Sequence, residues 1–285
     1  MPSLNTSLLS NVSIVLPPLR EQVKIAAILR NWDQAIEVIG NLIEAKQRLK
    51  KGLMQQLLTG RVRFPAYTGV EWEQIRLGKV GTFAKGSGIT KSELVDGGIP
   101  CVRYGELYTR HDDVIRAFHS FISRETATSS MRIISGDVLF AGSGETAEEI
   151  GKCATYVGEE EAYAGGDVII LRPSKGNSVF LGYLLNHDAA NRQKYRLGQG
   201  HSVVHIYPSL LKDVVIPFPP VEEQRKIADV LETLTKIISL LSRKIDELKA
   251  QKQGLMQRLL TGEVRVKSNP IPGPSPLQGE GSFQA

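Results

Sequence analysis

Eighteen consecutive apolar residues occur nowhere in this chain, so no segment reads as a membrane span. The N-terminal stretch MPSLNTSLLSNVSIVLPPLR lacks a basic region followed by a long apolar core, and is not read as a secretion signal. Cysteine is scarce. Cys101 and Cys153 are the only two, too few for a disulfide-stapled scaffold, and they read as reduced thiols of a cytoplasmic protein. Charge is not one-sided either. The net +5 lies on the flanks: residues 66–212 hold 16 Lys and Arg against 17 Asp and Glu. A nucleic-acid partner would therefore meet a local patch rather than a global field.

Catalytic motifs are also missing. GETAEEIGKC has Thr146 where a phosphate loop needs its first glycine and Cys153 where it needs Ser or Thr. AGSGE has Ala141 and Glu145 in place of the two glycines of a nucleophile elbow. His201 and His205 have a metal-like spacing without a third ligand, and Glu159–Glu161 reads as a solvated turn. The Asn/Asp-Pro-Pro-aromatic motif of an amino-methyltransferase and a dinucleotide fingerprint are absent.

What the chain does have is a long internal repeat. GLMQQLLTG at 52–60 returns as GLMQRLLTG at 254–262, and Pro17-Pro18 returns as Pro219-Pro220. The offset is 202 positions throughout, without a gap, from Val12–Arg63 to Val214–Arg265. Each copy predicts one long helix with a heptad seam. In the first, Ile25, Trp32, Ile39 and Leu53 form one row; Ile28/Leu29, Ala35/Ile36, Leu42/Ile43, Leu49 and Leu57 form the other. In the second, Ile227, Leu234, Leu241, Leu248 and Leu255 form a row beside Val230/Leu231, Ile237/Ile238, Ile245 and Leu259. Lys46 and Lys252 interrupt the seam, either snorkelling to the surface or setting register. A helix of about 40 residues is about 60 Å long and cannot bury its stripe alone, so each needs the other or a second chain.

Between the helices the pattern changes. IPCVRY, GDVLFAG, KCATYVG, GDVIILRP and DVVIPF read as short strands, and SVFLGYLLNHDAANRQKYR as a helix. The expected fold is α+β: one globular domain of mixed strands and helices, flanked by two long helices in an antiparallel coiled coil. The boundaries are an end remnant at 1–18, helix one at 19–60, the globular domain at 61–218, helix two at 219–262, and a Pro/Gly/Ser-rich, disordered tail at 263–285. Four polar, glycine-bearing loops carry the candidate contacts. They are FAKGSGITKSE (83–93), RYGELYTRHD (103–112), AGSGETAEEIG (141–151) and RLGQGHSVVHIYP (196–208). Glycine permits close backbone approach to a phosphate, and basic and amide side chains reach phosphates or base edges. The candidate DNA-binding residues are Lys85, Ser87, Arg103, Tyr104, Arg110, Ser143, Gln199 and His201. No catalytic and no metal-binding residue is assigned.

Taken in order, GGIPCVRYGEL (97–107), SGDVLFAGSGETAEEIGKCATYV (135–157), GQGHSVVHIYPSLLKDVVIPFPPVEEQRKIADVL (198–231) and LMQRLLTGEVRV (255–266) resemble recurring phrases of the specificity subunits of type I restriction–modification systems. The resemblance runs from residue 1 to about 268. It implies a target-recognition domain bracketed by conserved-region helices, and a non-catalytic subunit that binds double-stranded DNA. It also implies a modification subunit that uses S-adenosylmethionine and a restriction subunit that uses ATP and magnesium as partners. A full specificity subunit alternates two recognition domains with two helical regions. Here the order is helix, one recognition domain, helix, and Leu4 aligns with Ile206 in the repeat, so a half-subunit is expected, reading half of a two-part target alone or as a homodimer. The rivals are a coiled-coil assembly protein or decayed subunit that does not read DNA, and a stand-alone methyltransferase or nuclease.

Overall fold

The computed structural model describes residues 14–144, 146, 150–200 and 204–266. Most of the expected end remnant and of the expected disordered tail lies outside the described residues. The first half of the order is α1 (Leu19–Leu57), β1 (Glu73–Arg76), β2 (Gly81–Lys85), β3 (Leu94–Val95), β4 (Ile99–Val102), α2 (Tyr104–Thr109), β5 (Val114–Ile115), β6 (Ser120–Ile122), α3 (Arg124–Ser129) and β7 (Met131–Ile133). Then come β8 (Val138–Ala141), β9 (Ser143–Gly144), β10 (Cys153–Tyr156), β11 (Ala162–Ala164), β12 (Val168–Pro173), α4 (Ser178–Leu185), α5 (Asp188–Leu197), β13 (Val204–His205), α6 (Pro208–Leu211), β14 (Val215–Phe218) and α7 (Val221–Leu260). The fold is mixed α+β with two long helices. It divides into two compact units, one from the residues up to Gln47 and from Ile237 onward, the other from Arg48–Lys236.

The helices start and stop by the same chemistry in both repeats. Glu21 and Gln22 donate their amides to Pro18 O, and Glu223 and Gln224 to Pro220 O. The Gln22 and Gln224 carboxamides fold back onto Pro17 O and Pro219 O, each at 2.7 Å. At the other end Gly60 and Gly262 take φ of 70° and 76°. That left-handed turn lets Val62 N reach Gln56 O and Val264 N reach Arg258 O, closing orphan carbonyls of the last turn.

In the first unit the helical segments run antiparallel: Asp33 pairs with Lys252, and a Cβ on Gly40 would meet Ile245. Ile25, Trp32 and Ile39 of α1, and Leu241, Leu248 and Leu255 of α7, are buried or half-buried along this seam, as are Ile28, Leu29 and Ile36 of α1 and Ile237, Ile238 and Ile245 of α7. Lys252 is a half-buried seam residue whose ammonium is paired with the exposed Asp33 carboxylate. Three positions of the expected second row, Ala35, Leu42 and Leu49, are exposed instead. Leu49 is 46% exposed, and half-buried Lys50 takes its place. The alternating spacing of three and four from Ile43 through Lys46 arrives at Lys50, and its charge is met by Asp113 at 3.2 Å and by the Tyr183 ring, 5.1 Å away.

In the second unit a five-stranded sheet has the order β2-β12-β8-β10-β5, and a second sheet the order β3-β6-β4-β11-β7. All four residues of β8 and of β10 are buried, as befits strands covered on both faces. Alternation sorts their side chains between two cores. Val138, Phe140, Cys153, Ile169 and Leu171 join Phe180 and Leu184 of α4, Leu57 of α1, and Ile227 and Leu231 of α7. Leu139, Ala141, Ala154, Val168 and Ile170 face the other way, with Val102, Ile133 and Ala164 of the second sheet. Residues 53–58 and 227–231 are thus part of the domain core rather than mere flanks. β1 pairs antiparallel with β14, Ile75 opposite Ile216.

The helix expected over 178–196 is two helices. Asn186 turns into the sheet edge, where its carboxamide accepts from Cys153 N and donates to Cys153 O and Asp113. His187 is extended, and α5 restarts with acidic Asp188 in its first turn. Both cysteines are free and buried. Burial pushes the Cys101 thiol up to about 12 and that of Cys153 up to about 11, so neither is a reactive thiolate.

Candidate nucleic-acid interface

The candidate loops of the sequence meet around one short turn, Ala164-Gly165-Gly166-Asp167. Ser87 N donates to Ala164 O and Gly166 N to Gly88 O, which seats the loop after β2. Gly165 N donates to Val102 O, which seats the segment leading into α2. Gly142 N donates to Asp167 O, and Ile206 N in turn to Gly142 O, which seats the loops around β9 and β13. Only glycine fits two of these contacts. A Cβ on Gly86 would lie 2.0 Å from Gly165 O, and one on Gly142 would lie 2.7 Å from Asp167 O. The loop after β2 is also strained: Gly88 and then Ile89 take φ of 60° and 59°. A β-branched residue in that region costs free energy and persists only where packing imposes it. Here Ile89 is buried among Cys101, Ile122 and Ala127.

Lys85 ends β2, more than half exposed, 3.6 Å from Asp167. Ser87 Oγ donates to Ser129 O. Ser143 is buried, and its hydroxyl is 2.9 Å from His205 Nδ1 across the β9–β13 pair. Gln199 bridges His205 through both backbone groups, leaving its exposed side chain outward. Lys85, Ser143 and Gln199 therefore share one continuous chain of contacts through Asp167, Gly142 and His205. Arg103 precedes α2, with its Nε 3.7 Å from Glu106 Oε1. Tyr104 and Arg110 stand at the two ends of that helix, both exposed, and the Tyr104 ring lies 6.2 Å from that of Tyr108. His201 lies outside the described residues, as does most of 145–149.

Sequence reasoning missed Asp167, and weighed His205 only as half of a metal-like spacing with His201. The Gly-Gly-Asp triplet at 165–167 marked the turn, because consecutive glycines signal close backbone approach. A serine hydrogen-bonded to a histidine suggests a nucleophile and its base. Among the described residues, however, no carboxylate holds the other ring nitrogen of His205, and no group of three His, Cys, Asp or Glu is arranged to hold a metal. The chemistry on offer is hydrogen bonding and charge: an ammonium, guanidinium groups, a carboxamide, a phenol and glycine-rich backbone.

Support for the surface comes from buried polar groups. Lys194 is fully buried beneath the loop that follows β8, and its ammonium donates to Gly151 O at 2.5 Å. Burial pushes its pKa down to about 8. Glu106 is buried and accepts from Ser120 Oγ and from Arg103 N. Burial also holds the imidazoles of His111 and His187 below their ordinary value. The unfolded chain protonates both near pH 6.5, about the free value, whereas the folded chain takes up those protons only at lower pH. Their contribution to stability is thus complete above about pH 6.5 and is lost as pH falls toward the folded values. The melting temperature is expected to drop between about pH 7 and pH 5.5, and less in His111→Phe. A pH series of thermal melts for the two proteins checks this; parallel curves would remove His111 from the account.

This arrangement has relatives. The family model for the type I restriction modification DNA specificity domain matches residues 1–47 and 69–250. The MjaVIII type I restriction enzyme specificity subunit of Methanocaldococcus jannaschii is 26% identical, over 94% of this chain and 66% of its own length. Two solved structures share the fold. The HsdS subunit from Thermoanaerobacter tengcongensis aligns with a TM-score of 0.55 at 20% identity, over 92% of this chain and 64% of that one. The type I restriction–modification S subunit from M. genitalium aligns with a TM-score of 0.57 at 18% identity, over 85% and 61%. The chain spans just under two thirds of the length of these relatives. With most of its residues matched by the family model, from the first helix through the second, the chain belongs to the family of type I restriction modification DNA specificity domains.

Proposed function

We propose that this chain is a DNA-reading, non-catalytic part of a type I restriction–modification complex, and that it reads one half of a two-part target. The observation that carries the reading is the gathering of the polar loops on the Ala164–Asp167 turn, within a chain of the specificity family. Lys85 and Arg110 are the phosphate contacts, because both are exposed cations on those loops. Gln199 is the candidate for a base edge, because a carboxamide held on a paired backbone presents a donor and an acceptor side by side. Ser87, Arg103 and Tyr104 flank them, and Ser143 acts by holding His205. The coiled coil docks the modification subunit, which brings S-adenosylmethionine, and through it the restriction subunit, which brings ATP and magnesium. The chain itself holds no cofactor. A second recognition domain completes the target, and a homodimer is one way to supply it. The complex works in the cytoplasm, where its DNA is.

The test is salt dependence. Lys85→Ala/Arg110→Ala is expected to flatten the slope of log K against log salt by about two, roughly one per lost phosphate contact. Gln199→Ala is expected to leave the slope unchanged while costing about 1–3 kcal/mol of discrimination. Filter binding across a salt series reads both. An unchanged slope in the double variant would contradict the assignment.

A further inference from the structure

The two repeats build the same hollow twice, and among the described residues a side chain fills only one of them. In the 48–236 unit the occupant is Trp72. Its indole N–H donates to Glu223 Oε2 at 3.0 Å, and the Arg63 guanidinium lies over the ring, 5.0 Å from its centroid. The floor is Gly60, where an added Cβ would stand 3.4 Å from the ring. Glu223 also takes Arg63 Nε at 2.6 Å and Nη2 at 2.8 Å.

In the other unit Glu21, Arg265 and Gly262 stand 202 positions from Glu223, Arg63 and Gly60. Arg265 grips Glu21 in the same way, Nε at 2.9 Å and Nη2 at 2.6 Å. Here a cavity of about 130 Å³ opens beside the pair, lined by Val15, Leu16, Leu259 and Gly262 among others. Among the described residues, a Cβ on Gly262 would meet only a Val15 methyl, at 3.6 Å. The Arg265 side chain is 63% exposed, against 16% for Arg63. The difference marks what Trp72 and its neighbours cover in the filled copy.

The strand next to the slot repeats the lesson. In the filled copy β14 is covered by β1, and Ile216 is 1% exposed. Its counterpart in the empty copy is Ile14, which is 76% exposed, with Val15 at 61% and Leu16 at 74%. An apolar run beside an unused indole slot calls for an extended segment with tryptophan at its head.

We infer that the cavity at Glu21, Gly262 and Arg265 is a tryptophan slot. It docks a strand of the pattern Trp-Glu-Gln-Ile-Arg, as in Trp72–Arg76, from a second recognition domain. The tryptophan donates its N–H to Glu21 and lies under Arg265, while the strand that follows pairs with Ile14–Leu16. The inference deepens the half-target reading by naming how the second domain attaches, and its test needs no DNA, so the two fail separately.

The probe is a synthetic peptide of residues 69–77 and its Trp72→Ala form, each titrated to 2 mM into the isotope-labelled full chain. The expected result is saturable shifts of the Gly262 and Val266 amides, with binding at least tenfold weaker for the alanine peptide. Gly262→Val, which fills the slot, should weaken binding of the tryptophan peptide tenfold or more. Glu21→Gln, which keeps the shape and removes the charge, should weaken it to a lesser extent. Absent shifts at 2 mM, shifts confined to Gly60 and its neighbours, or equal shifts from both peptides would overturn the slot.

Discussion

Glu223→Ala is expected to destabilise the chain by about 3–5 kcal/mol, the usual cost of removing one partner from a buried ion pair. Its carboxylate is 1% exposed, and the Arg63 side chain that it holds is 16% exposed. Alanine would remove the acceptor of the Trp72 N–H and of Arg63 Nε together, leaving the guanidinium only its Nη2 bond to Val70 O at 3.0 Å. The repeat supplies an internal control. Glu21→Ala breaks the equivalent pair where Arg265 is 63% exposed, so water takes over the guanidinium and the loss is smaller. Urea unfolding of both variants beside the parent checks this. Equal losses would mean that covering by the recognition domain adds nothing to the pair.

Gly86→Ala should abolish most of the DNA affinity, at least tenfold, or about 1.4 kcal/mol, with the strands intact. The added methyl would lie 2.0 Å from Gly165 O and 2.8 Å from Ala164 O. Backbone cannot yield as a side chain tip can, so the loop must lift off the Ala164–Asp167 turn, taking Lys85 and Ser87 with it. Gly97→Ala, where nothing lies within 4 Å, is the matched control. Filter binding and far-ultraviolet circular dichroism of the two variants separate loop displacement from unfolding. Parental affinity in Gly86→Ala would show that the turn does not set the reading surface.

The helices and their seam were legible because a heptad repeat is a one-dimensional signal, and because the second copy repeats the first without a gap. The Leu49 assignment went astray since hydrophobicity alone favours leucine over lysine at that seam. The charge that admits Lys50 comes from Asp113, 63 residues away in sequence, and no local pattern announces it. The same reason hides Asn186. SVFLGYLLN reads as uninterrupted helix until a sheet edge claims the carboxamide. The strands of the recognition domain were readable as short apolar runs, but their sorting into two sheets was not, because β11 pairs with β4 and β10 with β5 across long stretches of chain. For the site, loop composition pointed to Lys85, Ser143 and Gln199 separately. Their common support, the Ala164–Asp167 turn, is made by backbone hydrogen bonds between segments far apart in sequence. Glu223 with Arg63, and Glu21 with Arg265, were visible as a conserved offset of 202, yet nothing in one dimension tells which pair a tryptophan covers.

The central claim is that this chain supplies sequence information to a DNA-modifying complex. The most direct measurement mixes it with the modification subunit of a type I restriction–modification system and S-adenosylmethionine, on a library of random duplex DNA, and maps the methylated molecules. The account predicts adenine methylation confined to molecules that share a short defined sequence, with Lys85→Ala/Arg110→Ala reducing the yield and Gln199→Ala relaxing the sequence. Methylation with no shared sequence, or the same pattern with and without this chain, would contradict it.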